Sequence, residues 1–350
     1  MSRRMRVRMA GWGAVSALAL AAGCVGGGDG GHGTADRSEG APLRVALLTA
    51  GPVSDAGWYA GAYEGLLALR DTFGAEISHQ QTRTPGEYDE AFFSYASAGY
   101  DLIFAHGFEY QDAAIRAGER FPDVTIVVSA GGRVSDNVVP LIFQLEEGSY
   151  LAGMVAGAFT RTGRVGMVGG VKIPPAEGTW LAFEAGARAE RPDVAATVTW
   201  IGSWDDVAAA KEAALALIEQ GADVIIHNTD AASFGVFQAV REARERGREV
   251  WALGMNRDQN AVAPDVILGS AVIRIAEAFV EITREWRAGR VGGAPYFAGY
   301  GNGVVDFVPN PEQIDAYPPD LLQHLDAARR GLADGSLEIP RVRFVEGAGG

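Results

Sequence analysis

The stretch GPVSDAGWYAGAYEG, residues 51–65, follows an apolar run and leads into a helical pattern. Its Asp55 can serve in two ways, because a carboxylate can cap the helix or accept hydrogen bonds from the N–H edge of a ligand. Gly51 and Gly57 let the backbone pass close to a ligand at the helix start, where free N–H groups can donate. Trp58 adds a large aromatic face at the same turn. The stretch therefore predicts a capped helix start, a ligand-binding turn, or both.

The other reactive side chains show no catalytic or metal-binding pattern. The five histidines lack the spacing of metal ligands on a helix, and the only cysteine, Cys24, lies near the N-terminus. The chain contains no G-x-S-x-G nucleophile motif, and VGMVGG does not spell the G-x-G-x-x-G of dinucleotide-binding proteins. The sequence therefore predicts a protein with no catalytic residues, no metal and no cofactor.

The composition sets the size and the surface charge of the protein. The chain has 350 residues, 48% of them hydrophobic, which suffices for a substantial core and for two or three domains. A formal net charge of −14 argues against a surface for nucleic acids. We therefore expect an acidic globular protein with no nucleic-acid partner.

The first 24 residues, MSRRMRVRMAGWGAVSALALAAGC, have the layout of an export signal. A positively charged start precedes an apolar stretch that is too short to span a bilayer comfortably. LAAGC resembles the lipobox of bacterial lipoproteins, although Ala21 stands where that motif usually has a large aliphatic residue. The sequence predicts a lipoprotein signal peptide over 1–23, acylation of Cys24 and a flexible Gly-rich tether over 24–42. An ordinary secretory signal with an incidental cysteine is the alternative.

From Leu43 onward, short apolar runs alternate with amphipathic segments. Runs such as LRVALLT, DLIFAHG and ADVIIHNT are bounded by glycine, proline or charge, as expected for strands buried on both faces. Segments such as DVAAAKEAALALIEQG show helical spacing and end in glycine. The alternation predicts parallel sheets with helices on both faces.

Residues 98–117 and 220–239 repeat one pattern, in which a helix end is followed by an apolar strand, a polar turn and a second helix. This internal repeat predicts two similar α/β lobes with a ligand cleft at the carboxyl ends of both sheets. His106 and His227 occupy equivalent positions at the strand ends. Each is either a hydrogen-bonding group for a ligand or the other lobe, or a core histidine with satisfied partners.

Nine stretches, in order along the chain, resemble the basic membrane protein family, the purine nucleoside receptor type of ABC-transporter substrate-binding lipoproteins. The most specific are EEGSYLAG and GGVKIPP, and the others include SDAGWYAGAYEG and ALGMNRDQ. The resemblance implies an α/β, type I periplasmic-binding-protein fold, with two Rossmann-like lobes whose parallel sheets are joined by a hinge. We expect lobe 1 at 43–145 plus 257–293, lobe 2 at 146–256, and a C-terminal segment across both lobes at 294–350.

In this family, an aspartate and an aromatic residue of the first turn face the cleft, and a second aromatic residue comes from the opposite lobe. Asp55, Trp58 and Trp204 match those positions, so the resemblance implies that the two indoles sandwich a planar purine base. Core packing is the alternative for either tryptophan. The full set of expected ligand-binding residues is Asp55, Trp58, Tyr59, His106, Phe108, Trp204, His227 and Asn256.

Three positions depart from the nucleoside receptors of the family. Tyr59 replaces an asparagine, Asn256 replaces an acidic residue, and Ile273 aligns with a lysine. An alignment shifted by one residue would instead place Arg274 there and restore a cation. The family's polar groups at these positions hold ribose, and losing a carboxylate and an ammonium removes charge-assisted hydrogen bonds to sugar hydroxyls. We therefore predict a free nucleobase, such as adenine, in preference to a nucleoside.

The resemblance implies a function in transport. We expect a monomeric, lipid-anchored receptor on the extracytoplasmic face of the cell membrane that passes a purine-like solute to an ABC permease. One alternative is a lipoprotein of the same fold that senses a ligand and signals through a membrane partner. A nucleoside-binding receptor and an enzyme on a doubly wound fold are the others.

Overall fold

The computed structural model describes residues 41–54 and 57–345, which form two sheets flanked by helices. In chain order, the strands of these residues are β1 (Arg44–Thr49), β2 (Glu76–Gln81), β3 (Leu102–His106), β4 (Thr125–Ser129), β5 (Val138–Phe143), β6 (Arg164–Gly169), β7 (Ala195–Trp200), β8 (Val224–Asn228), β9 (Trp251–Asn256), β10 (Ile267–Ile273), β11 (Tyr296–Ala298) and β12 (Val305–Pro309). The helices of more than three residues are α1 (Trp58–Phe73), α2 (Pro85–Ser97), α3 (Gln111–Arg120), α4 (Leu145–Phe159), α5 (Pro174–Glu190), α6 (Val207–Glu219), α7 (Ser233–Glu245), α8 (Ile275–Arg287) and α9 (Leu321–Asp334).

Two features of the N-terminal prediction, the signal peptide and Cys24, lie outside the described residues, as does most of the tether. Across 41–54 and 57–345, every helix is too short or too polar to cross a membrane.

The two sheets have the same strand order. The first runs β2-β1-β3-β4-β5-β11 and the second runs β7-β6-β8-β9-β10-β12. Neighbouring strands are parallel except for β10 and β12, which are antiparallel. β3 and β8 are buried along their whole length, which is why their sequences are continuous apolar runs. The predicted α/β class with two parallel sheets is confirmed, and we call the first sheet with its helices lobe 1 and the second lobe 2.

The chain crosses between the lobes at three places. Gln144 joins β5 of lobe 1 to α4, Arg274 joins β10 of lobe 2 to α8, and residues 299–304 join β11 to β12. α4 packs on α5 in lobe 2, whereas α8 packs on α1 in lobe 1. The backbone N–H of Gln144 donates to Ala298 O at 2.8 Å, and that of Arg274 donates to Val304 O at 2.7 Å. The first two crossings are therefore both hydrogen-bonded to the ends of the third.

The second crossing lies later in the chain than the sequence predicts. Residues 257–293 are expected in lobe 1, but β10 lies in the second sheet, between β9 and β12. β10 is buried along its whole length, as are β3 of the first sheet and β8 of the second, so its composition does not indicate which sheet it enters. The chain returns to lobe 1 only at Arg274. The C-terminal segment then contributes β11 to the first sheet and β12 to the second.

Two glycines allow α4 and α5 to pack backbone against backbone. A Cβ on Gly186 would overlap the carbonyl oxygen of Tyr150, and a Cβ on Gly153 would overlap the carbonyl oxygen of Phe183. Nearly every residue of α4 is buried as a result. This helix pair forms a rigid base for lobe 2 directly after the first crossing.

Residues 337–345, which we call the strap, lead from the end of α9 across the hinge to lobe 1. Arg341 donates to Glu147 Oε1 at 2.6 Å, and the other oxygen of this buried carboxylate accepts from Tyr300 N at 2.5 Å. Farther along, the ring of Phe344 meets Phe108 edge-on, with 6.4 Å between ring centroids. Because α9 packs on α4, the strap connects lobe 2 to lobe 1.

Candidate functional site

A cavity of about 640 Å³ opens between the lobes at the carboxyl ends of both sheets, and part of it is continuous with solvent. Its position, at the carboxyl ends of two parallel sheets, is typical of small-molecule sites. Aromatic and apolar side chains make up most of its wall, together with a few polar groups. The residues that line it are Trp58, Tyr59, Gly107, Phe108, Glu109, Ala130, Phe143, Leu145, Ile173, Pro175, Ala176, Thr179, Trp204, Asn228, Asp230, Asn256 and Ile273.

The structure brings most of the expected ligand-binding residues to this cavity. Those that line it are Trp58, Tyr59, Phe108, Trp204 and Asn256. Asp55 lies outside the described residues. His106 and His227 are completely buried and belong to the protein behind the cavity wall.

Trp58 is the first residue of α1, and its indole forms part of the cavity wall. It stacks on the imidazole of His106 with 3.9 Å between ring centroids, and it meets Phe143 edge-on at 5.6 Å. These contacts hold the indole in place at the cavity wall.

His106 is held by two hydrogen bonds. Ser129 Oγ lies 2.8 Å from Nδ1, and the carbonyl oxygen of Trp58 lies 3.1 Å from Nε2. Because a carbonyl only accepts, Nε2 carries the hydrogen and Nδ1 accepts from the Ser129 hydroxyl. Burial lowers the pKa of His106 to about 3, which keeps the ring neutral. His106 therefore supports Trp58, and the expected direct contact with a ligand is not open to it in this structure.

Trp204 reaches the cavity from lobe 2, in the turn between β7 and α6. Its carbonyl oxygen accepts from Asp230 N at 3.0 Å and from Ala232 N at 3.1 Å, which ties this turn to the one after β8. The six-membered ring of the indole lies over Gly170, where a Cβ would overlap it. Glycine at this position thus leaves room for the indole.

His227 belongs to a buried polar network in lobe 2. Its Nε2 donates to Gln259 Oε1 at 2.8 Å, and its Nδ1 accepts from Thr229 N at 3.3 Å. Gln259 Oε1 also accepts from Met255 N at 3.0 Å. Burial lowers the pKa of His227 to about 4, so this ring too is neutral. The network fixes the end of β9, which carries Asn256 to the cavity.

Two carboxylates of the cavity, Glu109 and Asp230, are absent from the expected set. Glu109 follows β3 in lobe 1 and is exposed to the cleft, whereas Asp230 follows β8 in lobe 2 and is only 5% exposed. Desolvation by the surrounding protein raises the pKa of Glu109, although a hydrogen bond from its own backbone acts in the opposite direction. Neither acid has a sequence signal of its own, because each is a single acidic residue on a turn.

Tyr59 and Asn256 place uncharged polar groups at the cavity. The Tyr59 ring packs against Gly51, and burial raises the pKa of its hydroxyl, as do the nearby charges of Glu109 and Asp230. The hydroxyl is therefore neutral. Asn256 has a φ of 71°, in the left-handed region that asparagine tolerates better than most residues. Within the described residues, no group of acidic, histidine or cysteine side chains is arranged to hold a metal ion.

The structure distinguishes between Ile273 and Arg274 as the residue that faces the cavity. Ile273 lines the cavity and is 5% exposed. Arg274 turns away, and its Nη1 donates to Gly303 O at 2.8 Å. The alternative in which Arg274 supplies a cation to the cavity is therefore wrong, and an apolar side chain occupies this position.

Comparisons with known proteins agree with a solute-binding site. Residues 43–324 match a family model described as ABC transporter substrate-binding protein PnrA-like. The chain is 26% identical over 303 residues to basic membrane protein A2 of Borrelia garinii subsp. bavariensis, covering 85% of this chain and 88% of the relative. It is 30% identical over 233 residues to a purine-binding protein of Brucella abortus, covering 66% of this chain and 65% of the relative.

A solved structure shows the same fold. An ABC transporter solute-binding protein from Aeropyrum pernix K1 matches with a TM-score of 0.77 at 21% identity, covering 85% of this chain and 93% of that one. The expected architecture of two parallel-sheet lobes around a cleft is thereby confirmed as that of solute-binding proteins.

Proposed function

Because this chain belongs to the PnrA-like family of ABC transporter substrate-binding proteins, we propose that its cleft captures a free purine base, such as adenine, for an ABC permease. The observation that carries the ligand class is the pair of tryptophans, Trp58 from lobe 1 and Trp204 from lobe 2, on the walls of one cavity. Stacking of a base on an aromatic side chain contributes about 1–3 kcal/mol. One relative of the chain is named as a purine-binding protein, which supports the same class.

The cavity wall favours a base over a nucleoside at three positions. Ile273 offers no hydrogen bond, Asn256 offers no charge, and Tyr59 brings bulk. A ribose hydroxyl held against Ile273 would lose its bonds to water without replacement, at about 1–3 kcal/mol for each unpaired group. A free base has no such hydroxyls to leave unpaired.

Calorimetry on the purified protein with adenine, adenosine, guanine, guanosine and glucose tests this proposal. We expect the bases to bind at least tenfold more tightly than their nucleosides. Trp58→Ala and Trp204→Ala should each weaken binding by about 1–3 kcal/mol, because each removes one stacking face. Trp251→Phe is the matched control, because Trp251 does not line the cavity. The Cζ atom of Arg244 lies over the Trp251 ring, 4.1 Å from the ring centroid.

Two results would contradict the ligand assignment. Tenfold tighter binding of the nucleosides would make the protein a nucleoside receptor, and binding of glucose without any purine would make it a sugar receptor. Normal affinity in both tryptophan variants would mean that the indoles are structural. Loss of labelled adenine uptake in cells lacking the protein would distinguish transport from sensing.

We also propose that Cys24 is acylated and anchors the protein at the extracytoplasmic face of the membrane. Each buried CH₂ of an acyl chain contributes about 0.8 kcal/mol to membrane binding. Cys24→Ser should therefore move the protein from the membrane fraction to the soluble fraction and leave the affinity for adenine unchanged. A membrane fraction that does not change would exclude the lipid anchor.

A further inference from the structure

The charged groups on the cavity wall are all of one sign. Among the described lining residues, the charged side chains are Glu109 and Asp230, and no lysine, arginine or histidine accompanies them. The arginines of the hinge are directed elsewhere. Arg274 donates to a backbone carbonyl outside the cavity, and Arg341 donates to Glu147. The charged side chains on the described part of the cavity wall are therefore both acidic.

The two carboxylates come from opposite lobes. Glu109 follows β3 and Asp230 follows β8, which are equivalent strands of the two sheets. The backbone of Asp230 is fixed by its N–H bond to Trp204 O, so its position is tied to that of the indole. Both negative charges act on the Tyr59 hydroxyl and raise its pKa, which is consistent with their facing the same space. A ligand in the cavity lies under the influence of both acids.

The aromatic walls act in the same direction as the acids. The face of an indole carries negative electrostatic potential and attracts a cation placed within about 6 Å of the ring centroid. Trp58 and Trp204 both line the cavity. Desolvation by the surrounding protein destabilises ionised Glu109, and a positive charge beside it would remove part of that cost. An anion would meet two carboxylates and two negative ring faces.

We infer that this site selects its ligand by charge, holding a positively charged planar heterocycle more tightly than a neutral one of the same ring system and excluding anions. The inference rests on the proposed function and narrows it, because it identifies Glu109 and Asp230 as specificity-determining residues for purine-like ligands. An N-alkylated purinium cation belongs to the preferred class. Urate and purine nucleotides, which carry negative charge at neutral pH, belong to the excluded class.

The test compares three probes by calorimetry at pH 8 on the purified full-length protein. The probes are 1,9-dimethyladeninium, which is mainly cationic at this pH, 9-methyladenine as a neutral analogue, and urate as an anion. We expect the cation to bind at least about tenfold more tightly than the neutral analogue, and urate at least about tenfold more weakly, since a charge-assisted contact is roughly twice as strong as a neutral one. The preference for the cation should decrease with added salt.

Glu109→Gln and Asp230→Asn remove the charges while nearly keeping the shapes of the side chains. In both variants, the ratio of the affinity for the cation to that for the neutral analogue should fall several-fold. The difference in affinity between 9-methyladenine and urate should also become smaller. Because the ratio is compared between variants, the steric effect of the extra methyl group cancels. Glu119→Gln and Asp123→Asn, which change exposed acids of lobe 1 outside the cavity, should leave the ratio unchanged.

The outcomes separate this inference from the proposed function. Equal binding of cation and neutral analogue, or a ratio that neither Glu109→Gln nor Asp230→Asn changes, overturns charge selection while leaving purine binding intact. Binding of no purine of any charge overturns the proposed function itself. If Asp230→Asn does not fold, the exposed Glu109→Gln variant decides the matter.

Discussion

Glu146 places a carboxyl group in the hinge, where it is only 6% exposed and lies against Gly178 of α5. Burial raises its pKa from 4.5 to about 7, with smaller opposing effects from its own backbone and Arg341. Between about pH 4.5 and pH 7, the folded protein keeps a proton that the unfolded chain has released. The free energy of unfolding therefore falls as pH rises through this window, by an amount on the order of 3 kcal/mol.

Glu146→Gln should remove this loss of stability, because the amide is neutral at every pH. We expect the variant to match the parent protein near pH 4 and to exceed it by about 3 kcal/mol at pH 8, measured by urea unfolding. Glu90→Gln, which changes an exposed residue of α2, is the control. A stability difference of the same size at both pH values would show that Glu146 does not titrate in this window.

Residues of the site differ in how well their sequence context predicts them. Trp58 and Trp204 are bulky aromatics on turns otherwise made of small and polar residues, so their types alone indicate a special role. Glu109 and Asp230 give no such signal, because a single acid on a turn is ordinarily a solvated surface residue. His106 and His227 are correctly located at strand ends, but their hydrogen-bond partners come from distant parts of the chain and cannot be read from local sequence.

At the scale of elements, the sheets are largely predictable and the crossings are not. Strands buried on both faces leave continuous apolar runs, and the internal repeat indicates that there are two such sheets. β10 is assigned to the wrong lobe because its place depends on pairing with β9 and β12, which is a non-local choice. The close packing of α4 on α5 cannot be predicted from the sequence either, because glycines within a helical pattern do not show which helix packs against them.

The contact between α4 and α5 predicts a large difference between two glycine substitutions. Gly186→Ala would force a Cβ onto the Tyr150 carbonyl and should destabilise the protein by about 3 kcal/mol or more, because neither backbone can move away cheaply. Gly86→Ala, in the first turn of α2, meets no atom within 4 Å and should be neutral or slightly stabilising. Urea unfolding of both variants measures the difference, and similar midpoints would contradict the close packing.

At the scale of the whole molecule, the strap adds a fourth connection between the lobes. Its central contact is the ion pair of Arg341 with Glu147, whose side chains are 33% and 7% exposed. Removing the cation leaves a buried carboxylate with the Tyr300 N–H as its remaining described partner. Removing Arg341 should therefore destabilise the folded protein, because the Glu147 carboxylate stays out of contact with water and loses its counter-ion.

Arg341→Gln should therefore lower the free energy of unfolding by about 2 kcal/mol at pH 7, less than for a fully buried pair because Arg341 is partly exposed. Arg343→Gln, two residues farther along the strap and exposed, is the matched control and should change stability little. The two variants are compared by urea unfolding at the same pH. Equal stability of both would mean that the strap contributes nothing through this ion pair.

The late return of the chain to both sheets also determines when the protein can fold. Until residues 296–309 have been made, β5 and β10 are open edges, because their outer partners β11 and β12 come from the last fifth of the chain. A chain that ends before residue 275 also lacks α8, which packs on α1 in lobe 1. A chain still on the ribosome, or one that ends before these strands, therefore exposes two unpaired strand edges, which favour aggregation. Nonsense mutations between codons 274 and 296, after both edges have been made, should thus yield insoluble fragments, and neither lobe should be recoverable from them as a shorter folded protein.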